Sequence, residues 1–236
     1  MSATLVVAVD GPSGSGKSSV SKAVASALHL AYLDTGAMYR AATWWCVSQG
    51  VPLDDQDAVA AAVDGFPLVM GVDPANPTVH VGGVDVHDAI RSTEITAVVS
   101  AIATNLEVRA ERGRLQRSAI TESQDPGSFS QGRGIVAEGR DITTVIAPDA
   151  DVRVLLTASE AARLARRARD VHGTDDAAAV EATKDQVLRR DRDDSTVVQF
   201  HVAADGVVTV DSSHLDFDQT VRAVLDVVES VVGSRA

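Results

Sequence analysis

The chain is short of positive charge. Its 21 Lys and Arg face 33 Asp and Glu, giving a formal net charge of -12, and a field of that sign repels nucleic acid and anionic membranes alike. General nucleic-acid binding and membrane-surface binding are therefore excluded, and any anionic ligand must be held by local cations. No apolar run approaches the roughly 20 residues of a spanning helix. Nothing at the start reads as a signal peptide, so a cytoplasmic protein is expected. Cys46 is the only cysteine, which excludes an intramolecular disulfide and fits a small core residue of a cytosolic protein. The six histidines are scattered without metal-ligand spacing, and none is expected to be a ligand or a catalytic base. The one Asn-x-Thr, at Asn76, holds Pro77 in the middle and is no glycosylation site. An N-K-x-D guanine motif is missing too, which argues against a GTPase switch.

What remains is a globular chain, 45% hydrophobic and long enough to bury a sizeable core. Residues 11–18 read G-P-S-G-S-G-K-S and match the phosphate-binding loop G-x-x-x-x-G-K-[ST] without a mismatch. A β-branched run, Thr4 to Val9, precedes the loop, and apolar residues at helical spacing follow from Val20 to Leu28. Glycines in such a strand–loop–helix turn let backbone N–H groups point inward, toward phosphates that also meet the positive end of the helix. Gly11, Pro12, Ser13, Gly14, Ser15, Gly16, Lys17, Ser18 and Ser19 are the expected donor-phosphate residues. Lys17 would reach the β- and γ-phosphates, and Ser18 would hold a Mg²⁺ bridging them.

Beyond the loop, short apolar runs at 31–34, 135–137, 152–156 and 207–210 alternate with helical stretches, which predicts a parallel sheet. From 66 to 86 the pattern changes to short β-type segments, 68–72, 78–81 and 84–86, separated by D-P-A-N-P and G-G; these are hairpin signals. Helical periodicity returns at 93–103 and 106–120. The polar stretch E-S-Q-D-P-G-S-F-S-Q-G-R-G after it reads as a loop whose order the composition leaves open. Ser159 to Arg192 reads as two helices hinged near Gly173 and Thr174. The expectation is one α/β unit over residues 1–236: a P-loop three-layer fold with a parallel sheet core, a small antiparallel β insertion over about 66–90 and a helical lid over about 159–194.

Three further stretches carry chemistry. In D-T-G-A-M-Y-R, residues 34–40, Thr35 offers a hydroxyl at a strand-to-helix turn and Arg40 can return to the same cleft as a bidentate phosphate donor. Arg163, Arg166 and Arg167 stand at i, i+3 and i+4 without acids paired to them, so they share a helical face suited to phosphate; a solvated surface helix would carry the same charges. Arg190 and Asp194 in R-R-D-R-D-D-S, at i and i+4, can pair. With V-A-E-G-R-D at 136–141, these motifs resemble the bacterial cytidylate kinase family from the first strand to the last helix.

The resemblance implies transfer of the γ-phosphoryl group of ATP to CMP or dCMP with Mg²⁺ by a cytoplasmic monomer that engages neither nucleic acid nor membrane. It implies that Lys17, Arg140, Arg163 and Arg167 act on the transferring group, and that Thr35, Arg40, Ser100, Arg109, Arg140, Asp141, Arg190 and Asp194 bind the acceptor. Arg140 would face phosphate and Asp141 the nucleoside, against the plainer reading of an ion pair within the turn. Val197 stands where the family commonly has an arginine, which removes one expected cation. A monophosphate acceptor is already largely ionised, its second pKa being about 6, so the absence of a catalytic histidine or triad fits. Another small P-loop kinase, acting on a different nucleoside monophosphate, shikimate or dephospho-coenzyme A, stays open on the loop alone, as does a noncatalytic nucleotide-binding switch.

Overall fold

The computed structural model describes residues 4–233; the outermost residues of the expected unit, 1–3 and 234–236, lie outside them. Five parallel strands form the central sheet: β1 (Leu5–Asp10), β2 (Ala31–Asp34), β6 (Gly134–Gly139), β7 (Val152–Thr157) and β8 (Val208–Asp211). Their order is β2-β6-β1-β7-β8, and β1 is paired on both sides, Val7 opposite Val136 and Val152.

Both faces of this sheet are covered, which is why its strands are apolar at nearly every position. Val7 and Val9 face one layer with Val136, Val154 and Leu156, packed by α1 (Lys17–Ala27) and α8 (Phe217–Gly233) through Val20, Val24, Val224 and Val228. Val6 and Ala8 face the opposite layer with Leu33, Ile135 and Ala137, where Met38 of α2 (Thr35–Ser48) and Ile120 of α5 (Leu106–Glu122) cover them. The alternation within β1 is the period of two of a strand buried on both sides. The result is helix, sheet, helix in three layers, as expected.

The insertion is a three-stranded antiparallel sheet, β3 (Leu68–Met70), β4 (Val79–Val81) and β5 (Val84–Asp85). Gly82 and Gly83, both at positive φ, make the tight turn between β4 and β5. Val79 and Val81 pack with α2, α3 (Gln56–Val63) and α4 (Thr93–Ala103) in a third core containing Cys46, which is fully buried. The helices begin on side-chain caps: Asp34 accepts from Ala37 N, Ser92 from Ile95 N, and Asn105 from the N–H groups of Glu107 and Val108.

Two helices, α6 (Glu160–His172) and α7 (Ala177–Asp194), follow β7 and pack on one another. Gly173, at φ 74°, ends α6 in the left-handed conformation. This matches the expected hinge. The loop after α5, whose order the sequence leaves open, is held by its own serines: Ser130 is fully buried and donates to Ser123 O at 2.9 Å, Ser128 donates to the same oxygen at 3.1 Å, and Gly132 and Gly134 donate their N–H groups to these hydroxyls. Serine hydroxyls that replace backbone partners make a compact loop out of a polar composition.

Candidate active site

The site is built at the carboxyl ends of β1, β2 and β6, where ligands of open α/β sheets gather. The phosphate-binding loop joins β1 to α1, with Gly14 and Gly16 at φ 74° and 89°. A Cβ on Gly14 would lie 2.6 Å from Arg163 O, so glycine lets α6 rest directly on the loop. Lys17 donates from Nζ to Pro12 O at 3.2 Å. Burial pushes its ammonium down to about 8, against the attraction of Glu138 and with the repulsion of Arg140 and Arg190. Ser18 Oγ donates to Glu138 Oε1 at 2.6 Å, and Tyr32 Oη to the same oxygen at 3.2 Å. Burial and the nearby Asp34 charge raise the Glu138 carboxyl above its ordinary range.

A cleft opens between the loop, α2 and α7. Its cations are Lys17, Arg40, Arg140, Arg167 and Arg190; its acids are Asp34, Glu138 and Asp170. Arg40 donates to Asp34 Oδ2 at 2.9 Å. Burial would raise Asp34, yet Arg40, the Ala37 N–H and Arg91 hold it below its ordinary range. Arg190 Nε lies 3.7 Å from Asp194 Oδ2, and burial lowers this guanidinium to about 10. Five cations thus line one cleft of an acidic protein, with Asp191 and Asp194 behind Arg140 and Arg190. A second cleft shares Gly14, Gly16 and Ser19 with the first and continues between Arg166, Leu215 and Phe217. The phosphate-binding loop thus stands between two clefts.

One carboxylate ties the cationic side together. Asp191 of α7 accepts from Ser13 N at 3.0 Å and Arg140 Nη1 at 2.8 Å on one oxygen, and from Arg163 Nη1 at 2.5 Å on the other. Arg163 also donates to Ser13 O at 2.8 Å. A second carboxylate, Asp194, meets Arg140 Nε at 2.7 Å. Asp10, buried at the end of β1, accepts from Ile142 N, Thr143 N and Thr143 Oγ1 at 2.6–2.9 Å. It fixes the turn after β6, which winds as one π-helical turn over Ile142–Ile146.

The family model described as Cytidylate kinase matches residues 7–230. The chain belongs to the cytidylate kinase family. A cytidylate kinase of Streptomyces avermitilis is 46% identical over 95% of this chain and 93% of its own length. Those of Streptomyces coelicolor and Cutibacterium acnes are 47% and 45% identical over 95% of this chain, covering 93% and 96% of theirs.

Most of the residues expected of a cytidylate kinase site are brought together. Gly14, Gly16, Lys17, Ser18 and Ser19 line the main cleft with Arg40, Arg140, Arg167 and Arg190. Arg109 and Asp141, 32 residues apart in sequence, form an ion pair, and Ser100 Oγ reaches Asp194 Oδ1 at 3.5 Å. Thr35 is buried and spends its proton on Glu138 O at 2.8 Å, closing α2 onto β6.

The plainer alternative of an ion pair within the turn is not what forms, because Arg140 pairs with Asp191 and Asp194 and Asp141 with Arg109. Two readings of the sequence change. Arg163 does have an acid partner, Asp191, supplied by the next helix rather than its own. Arg163, Arg166 and Arg167 of α6 also part company. Arg163 is buried against the loop, Arg166 donates to Ser15 O, Ser212 and Leu215 O, and Arg167 reaches the main cleft. Spacing alone had put them on one face, but three long side chains on that face find three different destinations. Sequence reasoning missed Asp10, Asp34, Glu138 and Asp191 as site builders. Glu138 sits inside the V-A-E-G-R-D motif, and Asp34 carries the capping signal at the start of α2; Asp191 left no local signal.

Proposed function

We propose that the protein transfers the γ-phosphoryl group of ATP to CMP or dCMP, releasing ADP and CDP or dCDP, and does so as a monomer. The observation that supports this reading is the main cleft, which a phosphate-binding loop with its lysine lines together with Arg40, Arg140 and Arg190. ATP would place its phosphates on the loop and its base in the second cleft, beside Arg166 and Leu215. CMP would place its phosphate among Arg40, Arg140 and Arg190. Its phosphate oxygen is ionised at neutral pH and needs no base, so the protein's work is to position two anions and neutralise charge. Lys17 and Arg167 act on the transferring group. Arg163 acts through the loop, by holding Ser13.

Ser18 Oγ, hydrogen-bonded to Glu138 on the loop side of the cleft, offers a hard oxygen donor of the type Mg²⁺ takes beside the phosphates. Mg²⁺ held there with ATP would supply charge neutralisation during transfer.

The Arg109–Asp141 pair gives a chemical basis for base choice. Cytosine presents an N4 amino donor that a carboxylate accepts, whereas uracil presents an acceptor at the same place. Asp141→Ala is expected to lower the ratio of kcat/KM for CMP over UMP by about 10–100-fold, with KM for ATP unchanged. Steady-state kinetics with both acceptors reads this, and an unaltered ratio rejects the role. The function itself is tested by product formation over a panel of donors and acceptors. ATP- and Mg²⁺-dependent conversion of CMP and dCMP is expected. Faster turnover of UMP, AMP or GMP overturns the acceptor, and ATP binding without transfer to any monophosphate overturns the kinase.

A further inference from the structure

The segment after α7, T-V-V-Q-F at 196–200, carries no charge, yet it forms part of the wall behind the cationic cleft. Val198 and Phe200 are buried, Phe200 to 1% exposure, while Val197 is half-buried. The Phe200 ring lies under the guanidinium of Arg140, with the Arg140 Cζ 4.3 Å from the ring centroid. The His201 ring lies against Phe200, centroids 4.4 Å apart. Arg140 is therefore bounded on three sides: one edge on Asp191 at 2.8 Å, another on Asp194 at 2.7 Å, and one face on an aromatic ring.

The carboxylates and the ring do different things. A carboxylate fixes an edge of the guanidinium and permits rotation about that edge. A ring beneath the plane removes this freedom, because the cation gains from the π-face only when it lies over it. A free arginine side chain carries large rotamer entropy, and a phosphate ligand works best when that freedom is lost before substrate arrives. An aliphatic side chain of similar volume would fill the space and supply no such orienting attraction.

We propose that Phe200 is a positioning residue for phosphoryl transfer, its ring holding the Arg140 guanidinium at the angle from which the remaining N–H groups meet phosphate. This rests on the reading of Arg140 as a phosphate ligand in a cytidylate kinase.

The test compares two variants that lose the ring, Phe200→Leu and Phe200→Met, with one that keeps it, Phe200→Tyr, in the full chain. Thermal unfolding and steady-state kinetics with ATP and CMP are measured for each. Leu and Met are expected to lower kcat/KM for CMP about tenfold, the size of a desolvated cation–π contact, with KM for ATP within twofold of wild type. Tyr is expected to restore kcat/KM to within about threefold. Met keeps nearly the packing volume and serves where Leu does not fold. A purely structural role lowers the unfolding temperature of the Leu and Met variants without changing their kinetics, and that result overturns the proposal. So does a Tyr variant as slow as Met. Wild-type protein that phosphorylates no monophosphate overturns the functional reading and this proposal together, whereas active wild type with unimpaired Leu and Met variants overturns this proposal alone.

Discussion

Lys17→Ala is expected to lower kcat for CMP phosphorylation by about 10²–10³-fold, the usual loss when one preorganised electrostatic donor is removed from a transferring group. The fold is expected to survive. Lys17 donates one hydrogen bond, to Pro12 O at 3.2 Å, and burial of its ammonium pushes its pKa down to about 8, so the side chain is held in the folded protein at an energetic disadvantage. The loop does not rely on it, because Ser13 N is held by Asp191, Ser18 Oγ by Glu138, and Val20 N by Gly16 O. Initial-rate kinetics at saturating ATP and CMP, with thermal unfolding alongside, separate the two effects. Turnover within fivefold of wild type removes Lys17 from the transferring group. A collapse of the melting transition shows instead that the lysine builds the loop.

How much of this site could be read before the fold was known depends on whether its parts are local. The phosphate-binding loop is one continuous stretch whose glycines, lysine and serine act through their own backbone, so a pattern match was enough. The antiparallel insertion was legible for the same reason, since G-G at 82–83 and D-P-A-N-P at 73–77 are turn chemistry flanking β-branched residues. The α4 helix fell at Thr93–Ala103 because both apolar period and N-cap are written in the sequence.

Charge partners are different. The i, i+4 spacing predicts Arg190 with Asp194, and the pair exists at 3.7 Å, yet the tighter partner of Asp194 is Arg140 at 2.7 Å, 54 positions away. Nothing along the chain says that α7 will lie over the end of β6. The same limit hid Phe200, whose apolar surroundings read as core and whose contact with Arg140 exists only once α7 and β6 meet. The loop at 122–134 stayed open for another reason. Its polar composition fits a solvated tract and an ordered one alike, and it is the ordered case that forms, serine and glycine satisfying one another as Ser128 and Ser130 do with Ser123 O.

Asp191→Ala is expected to have the largest effect on stability of any single change at the site, about 3–5 kcal/mol, because it leaves the buried Arg163 guanidinium without its carboxylate, removes one of the two that hold Arg140, and frees Ser13 N. Asp191 is 4% exposed and touches three elements: Ser13 of the loop, Arg140 after β6 and Arg163 of α6. At about 2–4 °C per kcal/mol for a chain of this length, the melting transition falls by roughly 10 °C. Asp191→Asn keeps an acceptor for Ser13 N and loses the charge, so it falls between wild type and Ala. The pH dependence provides an independent check. Burial works to raise the Asp191 carboxyl, but Arg140, the Ser13 N–H and Arg163 outweigh it and hold the group below its ordinary range. A carboxylate whose folded pKa is depressed contributes stability that is fully present above its unfolded value of about 3.9 and is lost as pH falls through the folded one. The difference between wild type and Asp191→Ala is therefore constant from pH 5 to 7 and shrinks below about pH 4. Denaturant unfolding at pH 7 and pH 3 measures both limbs. A difference under about 1 kcal/mol at neutral pH, or one that grows on acidification, shows that Arg140 and Arg163 find other partners and that α7 is not the element tying the lid to the loop.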